Sequence, residues 1–140
     1  MNPELPQDIE QLLPHRLPMR LVQQVAAVSD YTIETVSTAL ETWPTAHDGF
    51  IRTLLMVELI AQSAAALQGW RERDKGPGKG GLLVGVRDSL FRRSQIPIGT
   101  RLHCFVNISH GVESYAAFDG RVTDDQGEEY ATASVQAYRP

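Results

Sequence analysis

Residues 51–70 read IRTLLMVELIAQSAAALQGW. The stretch is rich in leucine, alanine, methionine, glutamate and glutamine and contains no proline, which predicts a helix over Ile51–Trp70 that ends near Gly69. Its residues are apolar on nearly every face, the pattern of a buried helix. Something must therefore wrap it.

The flanking sequence supplies the wrapper. Upstream, Leu21–Val28 and Thr32–Leu40 are β-branched enough for two strands, and Ser29, Asp30 and Tyr31 suit the turn of a hairpin between them. Glu41–Gly49 holds Trp43-Pro44 and Asp48-Gly49, both loop signals. Downstream of the helix, Arg71–Gly81 is charged and glycine-rich and reads as an exposed loop. Leu82–Val86 is apolar. Thr100–Ile108 alternates, with Leu102, Cys104, Val106 and Ile108 on one face. Tyr115–Thr123 and Tyr130–Tyr138 follow, separated by Asp124-Asp125-Gln126-Gly127. Two strands, one long apolar helix and about four more strands make an α+β fold, with a curved antiparallel β-sheet around the helix. Such a sheet has open edges, and pairing two sheets edge to edge in a dimer would hide them.

The chain has 140 residues, so one domain spanning 1–140 is expected. A net charge of −4 disfavours broad nucleic-acid or membrane-surface binding. The lone Cys104 excludes an internal disulfide framework and fits a reducing compartment. The longest apolar stretch, Leu54 to Leu67, is broken by Glu58, Gln62 and Ser63 and falls short of the roughly 20 residues a membrane span needs. The N-terminal residues lack the pattern of a secretory signal, and a cytoplasmic protein is expected. Four prolines punctuate the first 20 residues, and Asp8 to Leu13 has room for one helical turn before Pro14.

Glu58 is the residue that demands an explanation. An ionised carboxylate within an apolar helix must be paired, protonated or open onto a cavity or solvent. Gln62 lies one turn on along the same face, and Ala61 and Ala65 leave room beside it. Such a group suits general acid/base chemistry; an ion pair with an arginine is the structural alternative.

The histidines are His15, His47, His103 and His110, with no metal-ligand spacing among them. His103 is expected exposed on the face opposite Cys104, and His110 in a turn beside Gly111. His15 stands in a stiff segment between Pro14 and Pro18, and His47 precedes Asp48-Gly49 at the entrance to the helix. Either is a candidate partner for Glu58 in proton transfer. The run Gly76-Pro77-Gly78-Lys79-Gly80-Gly81 lacks the ending and the setting of a phosphate-binding loop. Thr53 and Ser63 carry no nucleophile motif. Arg87, Arg92, Arg93 and Arg101 gather around Phe91 and Pro97, as a solvated strand face or as a landing site for a phosphate or an acidic protein.

Several segments together resemble the hotdog-fold 3-hydroxyacyl-carrier-protein dehydratases, and more narrowly the dehydratase-like hotdog proteins of aryl-polyene biosynthesis. They are Leu13-Pro14-His15-Arg16-Leu17-Pro18-Met19 with Leu21-Val22; Asp48-Gly49; Val57-Glu58-Leu59-Ile60-Ala61-Gln62; Gly81 to Arg87 running into Phe91-Arg92-Arg93; and Pro97-Ile98-Gly99-Thr100-Arg101-Leu102. The ending Ala131-Thr132-Ala133 through Tyr138-Arg139-Pro140 also fits. The resemblance implies a dimer with active sites at the interface, where the helix glutamate works with a histidine from the other subunit. The implied substrate is a 3-hydroxyacyl chain on the phosphopantetheine arm of an acyl carrier protein, and no metal or cofactor is implied. It assigns Glu58 as acid/base, Gln62 as the group that orients it, and Arg87, Arg92 and Arg93 as a docking surface for the acidic carrier protein. The family places a histidine fourteen residues before the glutamate; here that position is Pro44, and His47 stands eleven before. His47 or His15 is then the second group, or the chain is a non-catalytic subunit that binds carrier protein or pairs with an active hotdog partner, as a homodimer or a heterodimer. Hydrolysis by a hotdog-type acyl thioesterase, which needs no histidine, is the remaining alternative.

Overall fold

The computed structural model describes residues 20–75, 82–112 and 114–138. The turn expected at Asp8–Leu13, His15 and the glycine-rich run at 76–81 lie outside them.

Chain order is β1 (Gln24–Val28), β2 (Thr32–Thr38), β3 (Phe50–Arg52), α1 (Leu55–Arg71), β4 (Leu82–Phe91), β5 (Gln95–Pro97), β6 (Arg101–Val112), β7 (Tyr115–Thr123) and β8 (Glu129–Tyr138). Six strands form one antiparallel sheet in the order β1-β2-β6-β7-β8-β4, while β3 and β5 pair separately. Register breaks at Val25/Ala27, Ile108/His110, Val122/Thr123, Leu83/Gly85 and Arg87/Leu90 are bulges, the devices that bend a sheet and strengthen its twist. Helix α1 lies against β2, β6, β7 and β8. This is the hotdog arrangement: one helix held by a large antiparallel sheet.

The alternation along the strands selects the inner face. Ile33, Leu102, Cys104, Val106, Phe118, Val122, Ala131, Ala133 and Val135 are buried there, against Met56, Leu59, Ile60, Ala66 and Leu67 of α1. Where α1 crosses β7, a Cβ built on Gly120 would stand 2.4 Å from Ile60 Cγ2, so the backbone itself is the contact surface. One polar cluster interrupts this core. Thr35 Oγ1 bonds Ser63 Oγ at 2.9 Å, and Ser63 Oγ donates to the Leu59 carbonyl at 2.9 Å. Beside these two hydroxyls, which act weakly to lower it, the buried Cys104 thiol has its pKa pushed up by burial from 9.0 to about 12.

The helix begins later than its composition predicts. Residues expected as its first turn form β3 instead. Asp48 (φ 51°) and Gly49 (φ 85°) both adopt left-handed backbone, and His47 and Phe50 exchange two main-chain hydrogen bonds of 2.9 and 3.0 Å. This is a tight hairpin with the preferred Asp-Gly pair at its centre. It sends Phe50-Ile51-Arg52 antiparallel to Gln95-Ile96-Pro97, a short strand pair that local composition did not announce. With no side-chain cap at Leu54, the first turn of α1 is tightened by bonds from Met56 N to Thr53 O (2.8 Å) and from Val57 N to Leu54 O (3.2 Å). At the other end, Arg73 donates to the Trp70 carbonyl at 2.8 Å and stacks 4.0 Å over its ring. β4 and β6 run longer than expected. His110 sits inside β6 opposite Ala117 rather than in a turn, and its ring packs 5.9 Å from Tyr115.

Candidate active site

The partly exposed positions of α1 include Leu55, Val57, Glu58, Ala61, Ala65, Gln68 and Gly69, while the positions between them are buried. Glu58 therefore lies on the boundary of the core rather than in its centre, with Ala61 and Ala65 along the same side of the helix. One turn on, Gln62 is fully buried. Its Oε1 accepts the main-chain N–H of Leu21 at 2.7 Å and that of Val22 at 3.3 Å. These two bonds fix which end of the amide is oxygen. The Nε2 donor is thereby turned toward Glu58, and it meets Glu58 Oε1 at 3.0 Å. Leu21 and Val22 are themselves fully buried just ahead of β1, so the whole assembly is clamped by the core.

His47 occupies the first position of the Asp48-Gly49 hairpin. Its side chain is 86% exposed, and Nε2 lies 3.0 Å from Asp48 Oδ2. Thr45, at φ 69°, is left-handed as well, and its hydroxyl accepts the Arg52 N–H at 3.1 Å. A threonine in that conformation is strained, and strain held by a specific hydrogen bond marks a loop built to one shape. The hairpin thus presents His47 outward on a fixed support. His103, expected to be exposed, is only partly so. It lies between two carboxylates, 2.6 Å from Asp125 and 3.5 Å from Glu34, on the outer face of the sheet.

The arginines separate into two kinds. Arg87 is exposed on β4 next to Asp88, which adopts φ 55° within the bulge, and it makes no ion pair among the described residues. Arg92 pairs with Glu129 at 3.2 Å, and Arg93 pairs with Glu128 and lies 5.6 Å from the centre of the Tyr130 ring. Arg101 lies 3.7 Å from Asp125. The β3–β5 pairing adds Arg52, an exposed cation that sequence reading missed: its register sets it opposite Gln95, and Thr53 N bonds the Ser94 carbonyl at 3.1 Å, directly after Arg93. Only the hairpin at Asp48-Gly49 could have signalled it, because Arg52 and Arg93 are remote in sequence. Among the described residues there is no group of three or more His, Cys, Asp or Glu arranged to hold a metal ion, and no helix long and apolar enough to cross a membrane.

Similar architectures occur among solved structures. A chain of the dehydratase heterocomplex ApeI:P from Xenorhabdus doucetiae is 25% identical, covers 94% of this chain and 90% of its own, and superimposes with a TM-score of 0.85. A hypothetical thioesterase with coenzyme A from Streptococcus pneumoniae TIGR4 (10% identity, 82% and 86% covered, TM-score 0.65) shares the fold. So does thioesterase superfamily member 2 from Mus musculus (14%, 84% and 81%, TM-score 0.64). The model of the ApeP-like family, described as ApeP dehydratase, matches residues 7–140. With a match of that extent, the chain belongs to the ApeP-like dehydratase family.

Proposed function

We propose that the chain dehydrates 3-hydroxyacyl thioesters carried on acyl carrier protein, with Glu58 as a proton-transfer group. In this reaction one group removes a proton from C2 of the acyl chain, a second gives a proton to the departing C3 hydroxyl, and water leaves as the C2–C3 double bond forms. A single observation supports Glu58 most strongly: its carboxylate is met by an amide whose own orientation is imposed by two main-chain N–H groups. A carboxylate held in one orientation at the edge of the core is suited to act on a bound substrate rather than on bulk water. Gln62 is then a positioning residue.

The second proton-transfer group is a histidine. His47, carried outward on its hairpin, suits delivery to a site shared with another subunit, and His15 is the other candidate in the chain. The docking surface for the acidic carrier protein is Arg87, Arg92 and Arg93, extended by Arg52.

A second reading is favoured by one observation: the 25%-identical solved relative is a chain of a dehydratase heterocomplex. On that reading this chain pairs with a different hotdog subunit that supplies the histidine. The seam is edge strand β4, which exposes Val86, Leu90 and Phe91 beside main-chain groups that no described strand pairs on that side. The test uses the chain alone and co-purified with a candidate hotdog partner, on a 3-hydroxyacyl carrier protein, with formation of the conjugated enoyl thioester followed by absorbance. Turnover that disappears in Glu58→Gln supports the assignment, whereas full turnover in that variant refutes it. His47→Asn and His15→Asn separate the two histidines, and loss in neither assigns the histidine to the partner. Release of free thiol without enoyl product would make the protein a thioesterase instead.

A further inference from the structure

The turn between β7 and β8, with β8's first residue, reads Asp124-Asp125-Gln126-Gly127-Glu128-Glu129, and its two glutamates already occupy two of the arginines assigned above to docking, Arg92 and Arg93. Asp124 Oδ1 accepts the N–H groups of Gln126 (2.9 Å) and Glu128 (3.0 Å), and Gly127 supplies the left-handed residue, φ 81°. These bonds hold the turn's backbone and set Glu128 and Glu129 beside the two arginines. Glu128 pairs with Arg93 and Glu129 with Arg92, on a shallow, open part of the surface that these four residues line with Gln126 and Gly127.

The ligand chemistry is written in this contact. Two guanidinium groups from consecutive residues bind two carboxylates from consecutive residues, which is how they would bind the acidic surface of another protein. Three of the four side chains are at least half exposed, at 51–59%, and Glu129 is 29% exposed. Ion pairs so exposed are individually weak and exchange readily. We infer that Glu128 and Glu129 act as a built-in competitor: an acidic carrier protein displaces them from Arg92 and Arg93 when it docks. This rests on the docking surface proposed above. Its consequence is a carrier affinity held below what the arginines alone would give, so that the carrier leaves after turnover.

The test is titration of the intact protein with a holo acyl carrier protein at several salt concentrations, for wild type, Glu128→Gln/Glu129→Gln and Arg92→Ala/Arg93→Ala. The glutamine variant is expected to bind about three- to tenfold more tightly at low salt. It should also lose affinity more steeply with salt, because docking no longer trades one set of ion pairs for another. Asp30→Asn/Asp74→Asn, exposed acids near the opposite end of α1, makes the same change in net charge and should tighten binding much less. Equal tightening in both acid variants, or none in either, overturns the competitor while leaving the docking surface intact if the arginine variant still weakens binding. Unchanged binding in a folded arginine variant overturns the docking surface itself.

Discussion

Leu21 and Gln62 lie 41 residues apart in sequence, yet the N–H of one and the side-chain carbonyl of the other meet at 2.7 Å in the core. The bond joins the chain ahead of β1 to the helix that bears Glu58. Replacing Gln62 by methionine, of similar length but unable to hydrogen-bond in this way, strands two buried N–H groups. Unfolding free energy is expected to fall by about 2–4 kcal/mol in a urea titration. Turnover by the folded fraction should fall at least about tenfold more than folding alone explains, because Glu58 loses its fixed donor. A decline that merely tracks the folded fraction would leave Gln62 a purely structural residue.

Gly49 at φ 85° completes the hairpin that carries His47. Alanine there must enter left-handed backbone at a cost of about 1–2 kcal/mol. The expected result is a melting temperature lowered by a few degrees, with hydrogen exchange at the Phe50 N–H speeding up. Any turnover that depends on His47 drops with it. Unchanged exchange at Phe50 would show that the turn is held by something other than its own conformation.

At the crossing of α1 and β7, Gly120→Ala forces a methyl group into Ile60. Overpacking of this kind costs about 1–3 kcal/mol. Ile60→Ala, harmful alone through the cavity it leaves, should be less harmful in the presence of Gly120→Ala. Thermal unfolding of the four proteins gives the coupling, and strict additivity would contradict the close approach.

Cys104 is expected to resist alkylation in the native state and to react only on unfolding, since its thiol is raised to about 12 in the core. The same shift fixes the sign of the alkaline limb. Above the ordinary value of 9.0 the unfolded chain releases this proton and the folded chain does not. Its contribution to stability is therefore complete below pH 9 and is lost as pH rises toward 12. Cys104→Ala should flatten that decline, and an equal slope in wild type and variant would rule it out.

Much of this was legible because strong patterns do not need a partner. The apolar run from Leu55 onward, the alternation of Leu102, Cys104 and Val106, and the spacing of Glu58 and Gln62 each encode their outcome locally. Tyr115–Thr123 is a strand over the residues expected. The misses share one cause, which is pairing at a distance. Ile51-Arg52 looks like a helix start until Gln95-Ile96-Pro97 is laid beside it. The clamp on Gln62 comes from main-chain groups of Leu21 and Val22, which no side-chain pattern advertises. The carboxylates on Arg92 and Arg93 come from a turn more than 30 residues on. Bulges likewise extended β4 and β6 past the points where simple alternation stops.

Edge strand β4 has one further consequence, for how such a protein must be made. Ten residues whose outer row of hydrogen-bonding groups meets no described strand, with Val86, Leu90 and Phe91 bare beside them, offer a template to any extended chain that drifts past. Molecules synthesised in excess of whatever covers that margin would find one another instead. On the heterocomplex reading proposed above, the cell has reason to match their supply, and a laboratory preparation should hold together best when the second hotdog chain is translated alongside.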